Sequence, residues 1–280
     1  MVVHLVDGTY ELFRHFYGQR RFNKGKDAPF GAVNGVLHTL LQMIEKRATH
    51  VGVATDHVVE SFRNGLWPGY KTAEGVELAL LAQFQPLEEA LAAMGVAVWP
   101  MVELEADDGL ASAAHAAAAD ERVEKVCIWT PDKDLAQCVE GERVVQVIRT
   151  SQTILDAGAV ERKYGVAPRL IPDFLALVGD SADGYPGIEG IGRVGAARLV
   201  RQHGAIENFP APVLGGRREL ALLFKKLATL RTDARLFGDV EELRWPGPTE
   251  AFPELAARLG DARLLPRARQ AASATASAGS

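Results

Sequence analysis

VVHLVDG, residues 2–8, decides the fold: an apolar run rich in β-branched residues that ends in Asp7 and a glycine. Such a run, bounded by turn residues, reads as a buried strand of a parallel sheet. The pattern returns at VGVATD, residues 51–56, and at VCIWTPD, residues 126–132. Helical periodicity lies between. Val33, Val36, Leu37, Leu40, Leu41 and Ile44 share one face of a helix over residues 32–47, and residues 78–94 behave similarly. Alternating strands and helices imply an open α/β sheet with helices on both faces. Ligands of such sheets sit beyond the carboxyl ends of the strands, which is where Asp7, Asp56 and Asp132 fall.

Six more acids follow the same logic: Glu105, Asp107 and Asp108 in EADD, Asp134 in DKD, and Asp180 and Asp183 in GDSAD. Nine gathered carboxylates would raise one another's pKa by repulsion. Hard divalent cations, which bind through carboxylate oxygen and water, remove that penalty. The constellation points to a metal-dependent enzyme acting on phosphate. A net charge of −5 does not exclude a polyanion partner, because the remainder of the chain is net positive once these acids are set aside. The seven histidines show no metal-like spacing.

At 280 residues, 48% hydrophobic and 24% charged, the chain is long enough for one large or two modest soluble domains. No apolar run reaches the ~18–20 residues of a membrane span, and the N-terminus lacks the basic start of a signal peptide. Cys127 and Cys138 form neither a metal spacing nor a disulfide framework, which fits a reducing cytoplasm. After residue 150 the pattern becomes helical over residues 157–164, 168–178, 194–203 and 217–229. Between two of these lies a glycine-dense joint with Gly187, Gly190 and Gly192, followed by Arg193, Arg198 and Arg201. Such a joint lets backbone N–H groups approach a phosphate closely. Beyond Trp245 the chain is weakly patterned, and the Ala/Ser/Gly stretch 271–280 reads as a disordered tail.

These motifs resemble, in collinear order over residues 3–245, the 5′-nuclease family of flap endonucleases and the 5′-nuclease domain of bacterial DNA polymerase I. The matching segments are LVDG, SFR (61–63) with YK (70–71), EADD, TPDKDL, GDSADGYPG, GIGRVGA and LATLRTD (227–233). The resemblance implies a PIN-like parallel-sheet nuclease domain over 1–150 with a helical arch near 64–95. A helical region over 151–245 would hold a helix–three-turn–helix near 179–204, with an extension over 246–280. It implies a structure-specific 5′→3′ exonuclease and flap endonuclease using two divalent cations, Mg²⁺ or Mn²⁺. Asp7, Asp56 and Asp107 would lie nearer one metal and Asp132, Asp134 and Asp183 nearer the other, with Glu105 between and Asp108 and Asp180 acting through water. Lys71 would reach the scissile phosphate, with Arg63 and Arg14 as further phosphate contacts. Gly187, Gly190, Gly192, Arg193 and Arg198 would grip duplex backbone, with a K⁺ ion at the turn. The implied partner is DNA with a 5′ flap, nick or 5′ end, RNA-primed ends included. The protein would act as a monomer on the bacterial nucleoid, beside a separate polymerase and without a membrane.

The chain departs from the family pattern at three positions. Glu74 stands where an arginine usually follows the YK lysine, Gly184 replaces an asparagine after GDSAD, and Val194 replaces a lysine. Two other readings stay open: a DNA-junction binding protein with weakened catalysis, motivated by Glu74, and a PIN-like ribonuclease, since that sheet also gathers acids, although the helix–three-turn–helix argues against it.

Overall fold

The computed structural model describes residues 1–23 and 28–278. β1 (Val2–Asp7) passes into α1 (Gly8–Asn23) and α2 (Gly31–Glu45), and β2 (His50–Asp56) leads to the short α3 (Leu78–Leu81) and to α4 (Phe84–Ala93). β3 (Ala97–Met101) precedes α5 (Ala106–Ala119), and β4 (Lys125–Trp129) leads to β5 (Val144–Ile148) and β6 (Thr153–Leu155). The strands form one sheet in the order β3-β2-β1-β4-β5-β6. β1 to β5 are parallel, and β6 returns antiparallel to β5.

Strand periodicity splits the apolar side chains between two faces. Val6, Val51 and Val53 pack with α2 and α4, whereas Val3, Leu5, Ala54, Val126 and Ile128 pack with α5. Helices therefore cover both faces, as the alternation predicts. The strand order reverses between β1 and β4, since the chain adds β2 and β3 on one side before crossing to the other. That reversal opens a crevice at the carboxyl edge, where ligands of open α/β sheets bind.

The second region carries α6 (Ala157–Tyr164), α7 (Ile171–Val178), α8 (Arg193–His203), α9 (Ala211–Leu214) and α10 (Arg218–Ala228). It has its own core around Val160, Phe174, Leu177, Tyr185, Val200 and Phe224. The chain then comes back: Leu230, Val240 and Leu243 join the α5 core, and α11 (Phe252–Leu259) and α12 (Leu264–Ala278) close over α2 and α4. Among the described residues no helix is long and apolar enough to cross a membrane.

Three sequence expectations are corrected. The single helix over 78–94 is two, because Pro86 has no N–H for a continuous helix but is tolerated in the first turn of a new one. Of the segment expected as an arch, α4 is core: Leu87, Ala90 and Leu91 are buried. The stretch 271–280, expected to be disordered, continues α12 as far as Ala278, its last two residues lying outside the described ones. Ala271 is buried against the first core, and just before the stretch Ala268 is buried there too while Arg267 pairs with Glu45 of α2 at 2.6 Å.

Candidate metal centre

The carboxyl edge of the sheet gathers the acids, and backbone N–H groups fix Asp7, Asp56 and Asp132. Asp7 ends β1, where it accepts the Tyr10 N–H at 2.8 Å and the Thr130 hydroxyl at 2.9 Å, spanning the crevice between β1 and β4. Asp56 ends β2 and accepts the Ala106 N–H at 2.7 Å, which docks the start of α5 and brings Asp107 in its first turn to the same edge. After β4, Asp132 accepts the Asp134 N–H at 2.9 Å. Asp134, Asp180 and Asp183 each offer a carboxylate oxygen, and those atoms lie within 4.8 Å of one another.

The electrostatics divide the acids into two sets joined at Asp132. Burial pushes Asp7 up to about 7, with Asp56 and Asp132 adding to the rise. Asp107 is raised by burial and then by Asp132, Asp7 and Asp56. Asp134 is raised by burial and then by Asp132, Asp183 and Asp180. Burial also raises Asp183, with Lys71 opposing. Asp132 adds to the rise in both sets, and Asp180 sits with Asp134 and Asp183, where it also pairs with Lys133. Asp134 Oδ1 is buried with no hydrogen-bond partner, an arrangement that costs about 1–3 kcal/mol if left unsatisfied. An all-oxygen, mutually repelling donor set with an orphaned buried oxygen fits hard divalent cations.

Lys71 joins the two sides. Its Nζ lies 2.7 Å from Glu105 Oε2 and 3.0 Å from Asp183 Oδ1. Glu105 also accepts from Ser61 Oγ at 2.6 Å, Arg63 Nη1 at 3.0 Å and Tyr70 OH at 3.2 Å. Burial works to raise the Glu105 pKa, but Lys71 and Arg63 outweigh it and hold the carboxyl below its ordinary value. The Lys71 segment is stitched to the GDSADG loop: the Lys71 N–H donates to Asp183 O at 3.0 Å and Trp67 Nε1 donates to Gly184 O at 3.0 Å. Gly184 has φ +84°, and a Cβ there would stand 2.0 Å from the Gly69 carbonyl oxygen. An asparagine could not occupy this position without parting the two loops.

Arg63 and Asp108 do not take the expected places. Arg63 is 1% exposed, with Nη1 and Nη2 each 2.7 Å from an Asp108 oxygen and Nε on Leu227 O at 2.8 Å. Asp108 also receives the Glu105 N–H at 3.0 Å and the Arg231 N–H at 2.9 Å. Each satisfies the other, so neither is turned toward a phosphate or a metal. This clamp accounts for LATLRTD, whose backbone carries three of the partners. Arg14 stands apart from the acids, its Nε 3.1 Å from the buried Glu11, which also holds Arg149 Nε at 3.0 Å.

The glycine joint separates into two kinds of position. A Cβ on Gly187 would lie 2.4 Å from Gly179 N, so that glycine serves packing, whereas Gly190 and Gly192 face open space. Arg193, Val194 and Arg198 are exposed on α8. Sequence reasoning missed Ser61, Tyr70, Thr130 and Lys133, which hold the carboxylates in place. All four left a trace only as neighbours within the quoted motifs SFR, YK and TPDKDL.

Residues 2–165 match the family described as 5'-3' exonuclease, N-terminal resolvase-like domain, and residues 166–251 match 5'-3' exonuclease, C-terminal SAM fold. The chain is 32% identical over 248 residues to a 5'-3' exonuclease of Buchnera aphidicola subsp. Baizongia pistaciae, covering 82% of this chain and 81% of that protein. It is 34% identical over 263 residues to DNA polymerase I of Pseudomonas aeruginosa, where the match takes in 87% of this chain but 28% of that protein's length. The solved structure of T5 5'-exonuclease with bound zinc ions superposes with a TM-score of 0.64 at 17% identity, covering 97% of this chain and 98% of that one, and so shares the fold. The chain belongs to the 5'-3' exonuclease family.

Proposed function

We propose that this protein hydrolyses DNA phosphodiester bonds near junctions of a 5′ single strand with duplex, as a 5′→3′ exonuclease and flap endonuclease. The observation that carries the reading is the orphaned Asp134 oxygen inside a ring of carboxylates that Lys71 closes from the other side. Asp7, Asp56, Asp107 and Asp132 would hold one divalent cation, and Asp134, Asp180, Asp183 and Asp132 a second, Mg²⁺ or Mn²⁺. Such ions, when bound, activate water and stabilise the leaving oxygen.

The chain's own residues do the positioning. Lys71 presents its ammonium to the scissile phosphate from between Glu105 and Asp183, with Tyr70 and Ser61 fixing Glu105. Gly190, Gly192 and Arg198 offer open backbone and, among the described residues, a charge with no carboxylate partner to a duplex, with room for a K⁺ ion at the turn; such contacts position without reading sequence. The substrate would be a flap, nick or 5′ end, RNA-primed ends included. The protein would work as a monomer in the bacterial cytoplasm, at the nucleoid, beside a separate polymerase.

The test incubates 5′-labelled flap, nicked duplex and structured RNA with and without Mg²⁺ or Mn²⁺. Metal-dependent release of short 5′ products from the DNA substrates is expected. Tight flap binding without cleavage under either metal would leave only a junction-binding protein.

A further inference from the structure

Beside the acids lies a cleft of about 440 Å³ that Lys71 does not reach. Asp7, Asp132, Lys133, Lys163, Tyr164 and Arg193 are among its lining residues. Lys71, by contrast, meets the carboxylates at Glu105 and Asp183. Positive charge thus meets the acids at Lys71 and again in the cleft, where Lys163 and Arg193 stand beside the Asp180-paired Lys133.

The two cleft cations are free to meet a ligand. Among the described residues neither Lys163 nor Arg193 pairs with a carboxylate, whereas Lys133 nearby is spent on Asp180. Both are exposed, and both lie over Tyr164: Lys163 Nζ is 4.9 Å from the ring centroid and the Arg193 guanidinium 5.8 Å. Arg193 also lies 5.4 Å from the Phe174 ring. Tyr164 is buried, so no base stacks on it; it holds the cations by attraction to the ring face. What the cleft offers is therefore charge, in the pairing suited to a phosphate: a guanidinium fork and an ammonium.

We propose that Lys163 and Arg193, seated on Tyr164, form a subsite for the phosphate next to the scissile one in the strand being cut. The proposal rests on the nuclease reading above. It gives the strand two anchors, Lys71 at the scissile phosphate and this pair one linkage away.

The experiment uses full-length protein and a 5′-labelled flap in which one linkage at a time is a neutral methylphosphonate. On the all-phosphate flap, Lys163→Gln and Arg193→Gln should each raise KM about 10-fold, the worth of a charge-assisted hydrogen bond at a partly exposed site, with kcat nearly unchanged. On the flap neutral at the adjacent linkage, wild type should show the same raised KM and Lys163→Gln should add nothing. Lys163 is exposed, so its variant should melt as wild type does. Cleavage by wild type with a KM untouched in both variants would overturn the subsite and leave the nuclease reading standing. So would a penalty that persists whichever linkage is neutral. No cleavage by wild type under Mg²⁺ or Mn²⁺ would overturn both.

Discussion

The carboxylates fall into two classes that the residue types alone do not distinguish. Asp132 lies among acids it destabilises, raising Asp7, Asp107 and Asp134. Asp132→Ala should therefore abolish cleavage, leave duplex binding near wild type, and raise the melting temperature of the metal-free protein. Turnover like wild type would remove Asp132 from the centre. Asp108 lies in the opposite situation, with Arg63 and two backbone N–H groups on its oxygens. Arg63→Ala would leave that buried charge unpaired and should cost about 3–5 kcal/mol in denaturant unfolding. An unchanged midpoint would mean that the clamp contributes nothing. The sequence shows nine acids in short clusters but not which way each turns. Asp107 and Asp108 are neighbours, yet one helix step sends the first to the crevice and the second to Arg63.

At the scale of elements, what the sequence revealed and what it hid have physical causes. β1, β2 and β4 are legible because both faces are buried, giving unbroken apolar runs. β3 is not, since it carries Pro100 and lies at the sheet edge, where a missing N–H is tolerated. β6 has three residues and is held by pairing with β5 rather than by its own pattern. The docking of the Lys71 segment on the GDSADG loop was equally hidden, because Gly69 and Gly184 must be seen together. Gly184→Asn should force the loops apart, costing about 1–3 kcal/mol of stability together with most of the cleavage rate. A melt and a turnover assay that both match wild type would reject the stitch. Glu74 lies exposed just beyond this docked segment. Glu74→Arg should therefore strengthen flap binding, measured by fluorescence anisotropy; no gain would mean the altered residue has no part in the grip.

For the molecule as a whole, the acid centre makes stability depend on pH and metal together. Asp7 is raised from 3.8 to about 7, so between those values the folded state binds more protons than the unfolded one. Stability must then fall as pH rises through that window. The chelator-treated protein should melt lower at pH 8 than at pH 5, by about 2–4 °C for each kcal/mol lost. Mg²⁺ or Mn²⁺ should restore more at pH 8, since cations bind the ionised form. A melting temperature flat with pH, or a metal effect equal at both, would contradict the repulsion described for the centre. The stitch between Gly69 and Gly184 acts at this scale too, through conformational entropy. Segments that order only on binding give up about 2–5 kcal/mol of their interaction energy. Here Trp67, Tyr70 and Lys71 are fixed against the second region during folding. A strand reaching Lys71 would thus meet a preorganised lysine, and its capture would be governed by diffusion and charge, with no wait for a loop to settle.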